Sequence, residues 1–194
     1  LRSTSSEGAP GEPTRFTVLA TDPGPQDQLT YEYDLDGEPG FELSTTSSVF
    51  TYTFTDNLRR EVTVRVTDDE GASATSRLLL EVQNQPPTGT LHFEGESVRE
   101  GAVATVDQDQ PFEGVVVATD PSVVDQASLT YVWDLNGDGI YERSSTGPRL
   151  PMRFEREGSY TIRCLVRDKD LGELLLTREI SVSGRPPALT SFEL

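Results

Sequence analysis

The chain repeats itself. Tyr31-Glu-Tyr-Asp-Leu-Asp-Gly realigns with Tyr131-Val-Trp-Asp-Leu-Asn-Gly at an offset of 100, and the register then runs on without a gap. Glu42 meets Glu142, Ser44 meets Ser144, Phe54 meets Phe154, Val62 meets Ile162, Val66 meets Val166, Asp68 meets Asp168, and Pro86-Pro87 meets Pro186-Pro187. Self-similarity of this kind makes the 194 residues two copies of one folding unit, which excludes any single large domain. Upstream, Ala20-Thr-Asp-Pro pairs with Ala118-Thr-Asp-Pro at an offset of 98, so the second copy carries two extra residues before Tyr131. Loops absorb such changes.

The repeat sets the boundaries. Gln83-Asn-Gln-Pro-Pro87 reads as a short linker, because two prolines lack amide donors and stiffen an extended connection. We expect one domain over residues 1–85, a second over 86–185, and in 186–194 the start of a following repeat. Ala188–Leu194 would be its first strand, equivalent to Thr88–Phe93, so the parent protein is expected to continue. The first copy lacks that strand unless Leu1–Pro10 supplies it.

Within each copy, apolar residues alternate as half-buried strands require. Val62, Val64 and Val66 face one way, Thr63, Arg65 and Thr67 the other, and Ile162, Cys164 and Val166 repeat the pattern. Leu29, Tyr31 and Tyr33 alternate likewise, as do Leu129, Tyr131 and Trp133. Similar stretches fall at Phe16–Ala20, Phe50–Phe54 and Leu78–Val82, and at Val115–Ala118, Leu150–Phe154 and Leu176–Val182. Sixteen Gly and 13 Pro suit a chain that turns often. The fold class is therefore all-β: two tandem immunoglobulin-like sandwiches, with separate cores over Thr14–Gln83 and Thr88–Gly184. Tyr33, Val64, Trp133 and Cys164 are expected to be buried in them. On this pattern Trp133 is a core aromatic and Cys164 a small buried hydrophobe with no nucleophilic role. His92, the single histidine, builds neither a triad nor a multi-histidine metal site.

Charge excludes some partners. Thirty-three acidic against 16 basic residues leave a net charge of -17, spread over both halves, which repels nucleic acid and anionic membrane surfaces. Cations are better partners. Leu1–Pro10 has neither the charged nor the apolar region of a signal peptide, and no apolar run is long enough to span a membrane. The chain reads as an interior fragment with no membrane insertion of its own. The single cysteine permits no internal disulfide, and the single lysine, Lys169, lies in a polar turn unsuited to a core isopeptide link.

Leu129-Thr-Tyr-Val-Trp-Asp-Leu-Asn-Gly-Asp-Gly, with Gly158-Ser-Tyr-Thr-Ile and Val166-Arg-Asp, resembles the polycystic-kidney-disease-type (PKD) repeat. The first copy matches through Tyr31-Glu-Tyr-Asp-Leu-Asp-Gly and Val62-Thr-Val-Arg-Val-Thr-Asp-Asp-Glu-Gly, but Glu38-Pro39 replaces the Asp-Gly turn and Leu58-Arg59-Arg60 replaces Gly-Ser-Tyr. The resemblance implies an extracellular sandwich module of secreted or cell-surface proteins, serving as spacer, adhesion or polymer-binding unit, and it implies no reaction.

The candidate chemistry is acidic. Asp134, Asn136, Asp138 and Glu142 are hard oxygen ligands around Gly137 and Gly139, and calcium takes six to eight such oxygens. The loop is not an EF-hand, because Ser145 stands where the bidentate glutamate would be; Asn-Gly and Asp-Gly are also ordinary turn makers. Sandwich strand order suggests a second arrangement at the domain junction, with Asp34, Asp36 and Glu38 approaching Asp120, Asp168 and Asp170. Carboxylates so placed would repel one another or hold calcium. The function expected is a non-catalytic spacer or adhesion module contacting other domains of its parent, or a protein or polysaccharide ligand. The alternative is a binding accessory of a secreted hydrolase, against which the inward placement of most aromatics counts. An enzyme is ranked last, since two compact repeats with short loops leave little room for paired carboxylates in a deep cleft.

Overall fold

The computed structural model describes residues 2–3, 8–24, 27–94 and 103–184. The chain divides into two compact units, one of Leu1–Gln85 with Pro121–Val124 and one of Pro86–Asp120 with Asp125–Leu194. The first contains β1 (Arg2–Ser3), β2 (Pro13–Leu19), β3 (Thr30–Asp34), β4 (Leu43–Thr45), β5 (Val49–Thr53), β6 (Leu58–Thr67) and β7 (Ser73–Val82). These form two sheets, ordered β1-β2-β5 and β4-β3-β6-β7. The second contains β8 (Thr88–Phe93), β9 (Ala104–Asp107), β10 (Phe112–Thr119), β11 (Thr130–Asp134), β12 (Arg143–Ser145), β13 (Arg149–Met152), β14 (Gly158–Arg167) and β15 (Glu173–Ser183), and a four-residue helix α1 (Val123–Gln126) follows β10 in sequence. Its sheets are ordered β13-β10-β8 and β12-β11-β14-β15-β9.

The two domains agree ladder by ladder. Tyr33 lies opposite Val64 as Trp133 lies opposite Cys164, and Leu58 opposite Val82 as Gly158 opposite Val182. Thr14 opposes Tyr52 as Phe112 opposes Met152, so one strand carries the offset of 98 and its partner that of 100. The two extra residues therefore fall in the connection from β10 to β11. That connection holds α1, whose four residues are too few to show a helical period in the sequence.

Leu1–Pro10 does supply the missing first strand. Arg2 and Ser3 oppose Leu19 and Val18, the register in which Thr90 and Leu91 oppose Val117 and Val116. Gly8 then bridges Val82 in parallel, as Val106 pairs with Val182. Strands β7 and β15 begin at Ser73 and Glu173, earlier than the apolar alternation indicates, because each follows a ten-position antiparallel partner whose backbone groups need pairing. The expected third repeat, 186–194, lies outside the described residues.

Each domain has its own core. Phe16, Val18, Tyr31, Tyr33, Val62, Val64, Val66 and Leu80 fill the first; Leu91, Phe93, Trp133, Ile162, Cys164, Val166 and Ile180 anchor the second. Burying each such side chain contributes about 1.5–3 kcal/mol. The packing differs most plainly at one linked pair of positions. Trp133 is fully buried and donates Nε1–H to Ser145 Oγ at 3.0 Å, and its ring fits because Gly114 opposite has no side chain. A Cβ at Gly114 would stand 3.1 Å from that ring and 2.7 Å from Met152 Cε. In the first domain the smaller Tyr33 stands in place of Trp133, and Phe16 fills the position of Gly114, stacked on Phe50 at 4.7 Å. Interior packing at near-crystal density makes the two substitutions a linked exchange of volume.

Candidate functional site

The acidic residues gather at the ends of each sandwich. At one end of the second domain, β11 turns into β12 through Asp134–Glu142, and carboxylate oxygens of Asp134, Asp138 and Glu142 lie within 4.8 Å of one another. Asp134 is fully buried. Its Oδ1 accepts the N–H groups of Asn136 (3.2 Å) and Gly137 (2.6 Å), and its Oδ2 accepts the N–H of Gly139 (2.9 Å) and Arg163 Nη1 (3.3 Å). A carboxylate offers about four acceptor positions, so Asp134 is saturated by its own loop and Arg163. Burial pushes its carboxyl up, but the bonds from Gly139, Gly137 and Asn136 together with the Arg163 charge hold it below the usual carboxylate range.

The rest of the loop is stapled the same way. Glu142 Oε2 accepts the Leu135 N–H at 2.9 Å and its Oε1 accepts Asn136 Nδ2 at 3.0 Å; Asn136 Oδ1 and Asp138 Oδ1 accept the Asp138 and Ile140 amides. Gly137 is required here, because its φ is +79° and a Cβ would stand 2.8 Å from Thr161 Cβ. Within this loop Asp134, Asn136, Asp138 and Glu142 each close a turn on the loop's own backbone.

The first domain has a looser version. Carboxylate oxygens of Asp34, Asp36 and Glu42 lie within 4.8 Å of one another, and Glu38 is not part of that group. Asp34 accepts Gly37 N–H at 2.7 Å and Glu42 accepts Leu35 N–H at 2.6 Å. The bond from Gly139 has no counterpart, because Pro39 has no amide hydrogen, and Thr63 stands in place of Arg163. Asp34 is accordingly half-buried where Asp134 is sealed.

At the opposite end of the second domain, where β8 begins beside Thr119, the oxygens of Asp120, Asp125 and Asp168 come within 4.8 Å of one another. Asp125 and Asp168 are buried, and Asp168 Oδ1 accepts the N–H groups of Asp170 and Gly172. Of the three residues expected here, the group contains Asp120 and Asp168; Asp170 instead pairs with Lys169. Lys169 Nζ also stands 3.0 Å from Asp125 Oδ1. Asp125 was missed in the sequence because it sits on α1, inside the extra residues that have no counterpart in the first copy. The corresponding end of the first domain brings together Asp27, Asp69 and Glu70. A hydrogen bond shared with Asp22, then burial and the Asp69 charge, raises the Asp27 carboxyl above its ordinary value, and Asp27 in turn raises Glu70.

Other singular residues are structural. Cys164 is fully buried, and burial pushes its thiol up to about 12. His92 is exposed, with Nε2 2.8 Å from Thr90 Oγ1.

Fold and end loops together define a pair of tandem immunoglobulin-like sandwich modules. The family model described as the PKD domain matches residues 3–82, the first sandwich, and the second repeats that sandwich ladder by ladder. The first domain thus matches the PKD domain model, and the second shares its strand pairing. No curated protein matches the chain. Among solved structures, the chain is similar to the PKD domain of an M14-like peptidase from Thermoplasmatales archaeon SCGC AB-540-F20, at 22% identity over 52% of this chain and 98% of that one, with a TM-score of 0.38. It is similar to the PKD domain of the human VPS10 domain-containing receptor SorCS2 at 24% identity over 58% and 87%, with a TM-score of 0.40. A structure of carbohydrate-binding modules from the β-sandwich superfamily matches at 25% identity over 53% of this chain and 36% of its own length, with a TM-score of 0.41.

Proposed function

We propose that the chain is a non-catalytic spacer and interaction module of a secreted or cell-surface protein, and that calcium stiffens it. The observation supporting the first part is how the acidic side chains are used. Asp134, Asn136, Asp138, Glu142, Asp68 and Asp168 all accept main-chain amides of their own turns, so they act as turn closures and not as a general acid or base poised over a cleft. Two sandwiches built this way present stiff, closely stapled ends suited to joining further domains of the parent protein. A panel of protease, glycosidase and esterase substrates tests the reading; turnover abolished by changing one carboxylate would overturn it.

The calcium reading rests on the Asp120, Asp125 and Asp168 group, with Asp170 alongside, and on Asp34, Asp36 and Glu42 with Glu38 nearby. Lys169 offsets only part of the mutual repulsion in the first group, and in both groups a divalent cation would relieve the remainder with ligands it favours. The Asp134 loop is the poorer host because its acceptor positions are taken. Calorimetric titration with calcium, repeated on Asp120→Asn, is expected to show heat of binding in the first and a weaker response in the second. No heat at millimolar calcium would reduce these groups to solubilising charge.

Carbohydrate binding, the other reading, calls for a row of exposed aromatics on one sheet. The exposed aromatics among the described residues are Phe41, Tyr52 and Tyr141, divided between the two domains, and they make no such row.

A further inference from the structure

The outer faces of the two long ladders differ in chemistry. In the first domain the side chains that β3, β6 and β7 turn away from the core form cross-strand ion pairs: Glu32 with Arg65 at 2.7 Å, Glu61 with Arg77 at 3.1 Å, and Arg59 opposite Glu81. The Arg65 guanidinium lies over Phe41, 4.3 Å from the ring centre. Charged pairs of this kind suit a face turned to water.

The same positions of the second domain are apolar. Val132, Leu165 and Leu175 stand where the first copy has Glu32, Arg65 and Thr75, and the ladders set them side by side across β11, β14 and β15. Cys164 and Val166 point into the core, so Leu165 between them points out. It is only 7% exposed yet does not belong to the core cluster, while Leu175 beside it is 55% exposed. The row is an apolar floor with one projecting side chain. Two positions further along, Arg167 lies opposite Glu173 and bonds to it at 2.7 Å, both side chains about half exposed. Apart from Asp134, sealed in its loop, the outward charges of these strands are Arg163, Arg167, Glu173 and Glu179, a balanced set in a chain of net charge -17. A second copy meets little net repulsion there.

We propose that two copies of the chain associate face to face through this sheet, about a two-fold axis parallel to the strands and midway between β14 and β15. The ladder register supplies the fit. Such an axis exchanges β14 with β15, so each residue lands on the ladder partner of its own equivalent. Leu175 of one copy then covers Leu165 of the other, and Arg167 of one copy meets Glu173 of the other, each contact made twice. Sheets packed with strands nearly aligned, within about 30°, are a standard arrangement. At a strand spacing of about 4.8 Å and a rise of about 3.4 Å, the parts of β9, β11, β14 and β15 so covered amount to roughly 450 Å² per copy. A tight complex buries about 800 Å² per partner, so this dimer is weak, and its charge pairs fix register more than strength.

Sedimentation equilibrium of the full chain tests this, at about 0.15 M salt and with chelator present so that calcium at the domain ends plays no part. The weight-average mass is expected to rise from 21.3 kDa toward twice that value and no further, between about 10 µM and about 1 mM. Leu175→Thr, which installs the residue of the first copy at an exposed position, is expected to stay at 21.3 kDa with unchanged thermal unfolding. Arg167→Glu and Glu173→Arg are each expected to lose association alone, because the axis then sets like charges together, and to regain it when the two chains are mixed. A wild-type chain that stays monomeric, or one whose mass climbs past twice the monomer, overturns the proposal. So does a Leu175→Thr chain that associates as strongly as the wild type, or a mixture of the two charge variants that remains monomeric.

Discussion

Replacing Asp134 by Asn tests whether the β11–β12 loop holds the second sandwich together or merely decorates it. The change keeps the shape of the side chain but removes its charge and turns one acceptor oxygen into a donor. Either orientation of the amide then points N–H at N–H: toward Asn136 and Gly137 on one side, or toward Gly139 and Arg163 on the other. Two of the four bonds are lost whichever way it turns, and at least one buried donor is left facing another. At about 1 kcal/mol for each lost bond and about 1 kcal/mol or more for the donor left unpaired, the cost is about 3 kcal/mol. For a domain of this size that lowers the midpoint of thermal unfolding by about 12 to 24 °C. The assay is unusually clean, because Trp133 is the single tryptophan of the chain, is fully buried beside this loop, and so reports the second domain alone. The pH dependence has a definite sign. The folded carboxyl titrates below its unfolded value, so its contribution is complete above the unfolded carboxylate range and disappears as pH falls through the folded value. Asp134→Asn should therefore unfold with a flatter acid limb than the wild type. A loss below about 1 kcal/mol would refute the reasoning and make the loop energetically local.

Three further changes read other parts of the structure. Gly114→Val, which drives branched carbon into the Trp133 ring and Met152, is expected to cost about 1–3 kcal/mol, followed by urea unfolding through Trp133 fluorescence; a neutral result would show that the core has slack there. Leu171 holds φ +72° while 80% exposed, where the first copy has Gly71 at φ +89°, so Leu171→Gly should stabilise the second domain by up to about 1 kcal/mol in the same assay. Cys164, with its thiol pushed up to about 12 by burial, should resist a disulfide reagent at mildly alkaline pH until urea unfolds the second domain; prompt reaction of the native protein would contradict its placement.

Much was legible from the order of residues alone, because the signals involved are local or periodic. The repeat at an offset of 100 gave two domains, and alternation gave the strands and the inward faces of Tyr33, Val64, Trp133 and Cys164, since a strand must send successive side chains to opposite sides. The spacing Asp134, Asn136, Asp138, Glu142 likewise foretold a cluster of oxygens. What those oxygens bond to was decided by tertiary structure: three amides of the same turn and Arg163 from the neighbouring strand saturate Asp134, and spacing cannot tell a turn closure from a metal ligand. The same holds for Asp125, placed beside Asp120 and Asp168 by a helical turn with no counterpart in the first copy, and for the exchange of Gly114 and Trp133 for Phe16 and Tyr33. Periodicity assigns a face to each residue. Only the packed sheets decide which side chains share the space between them.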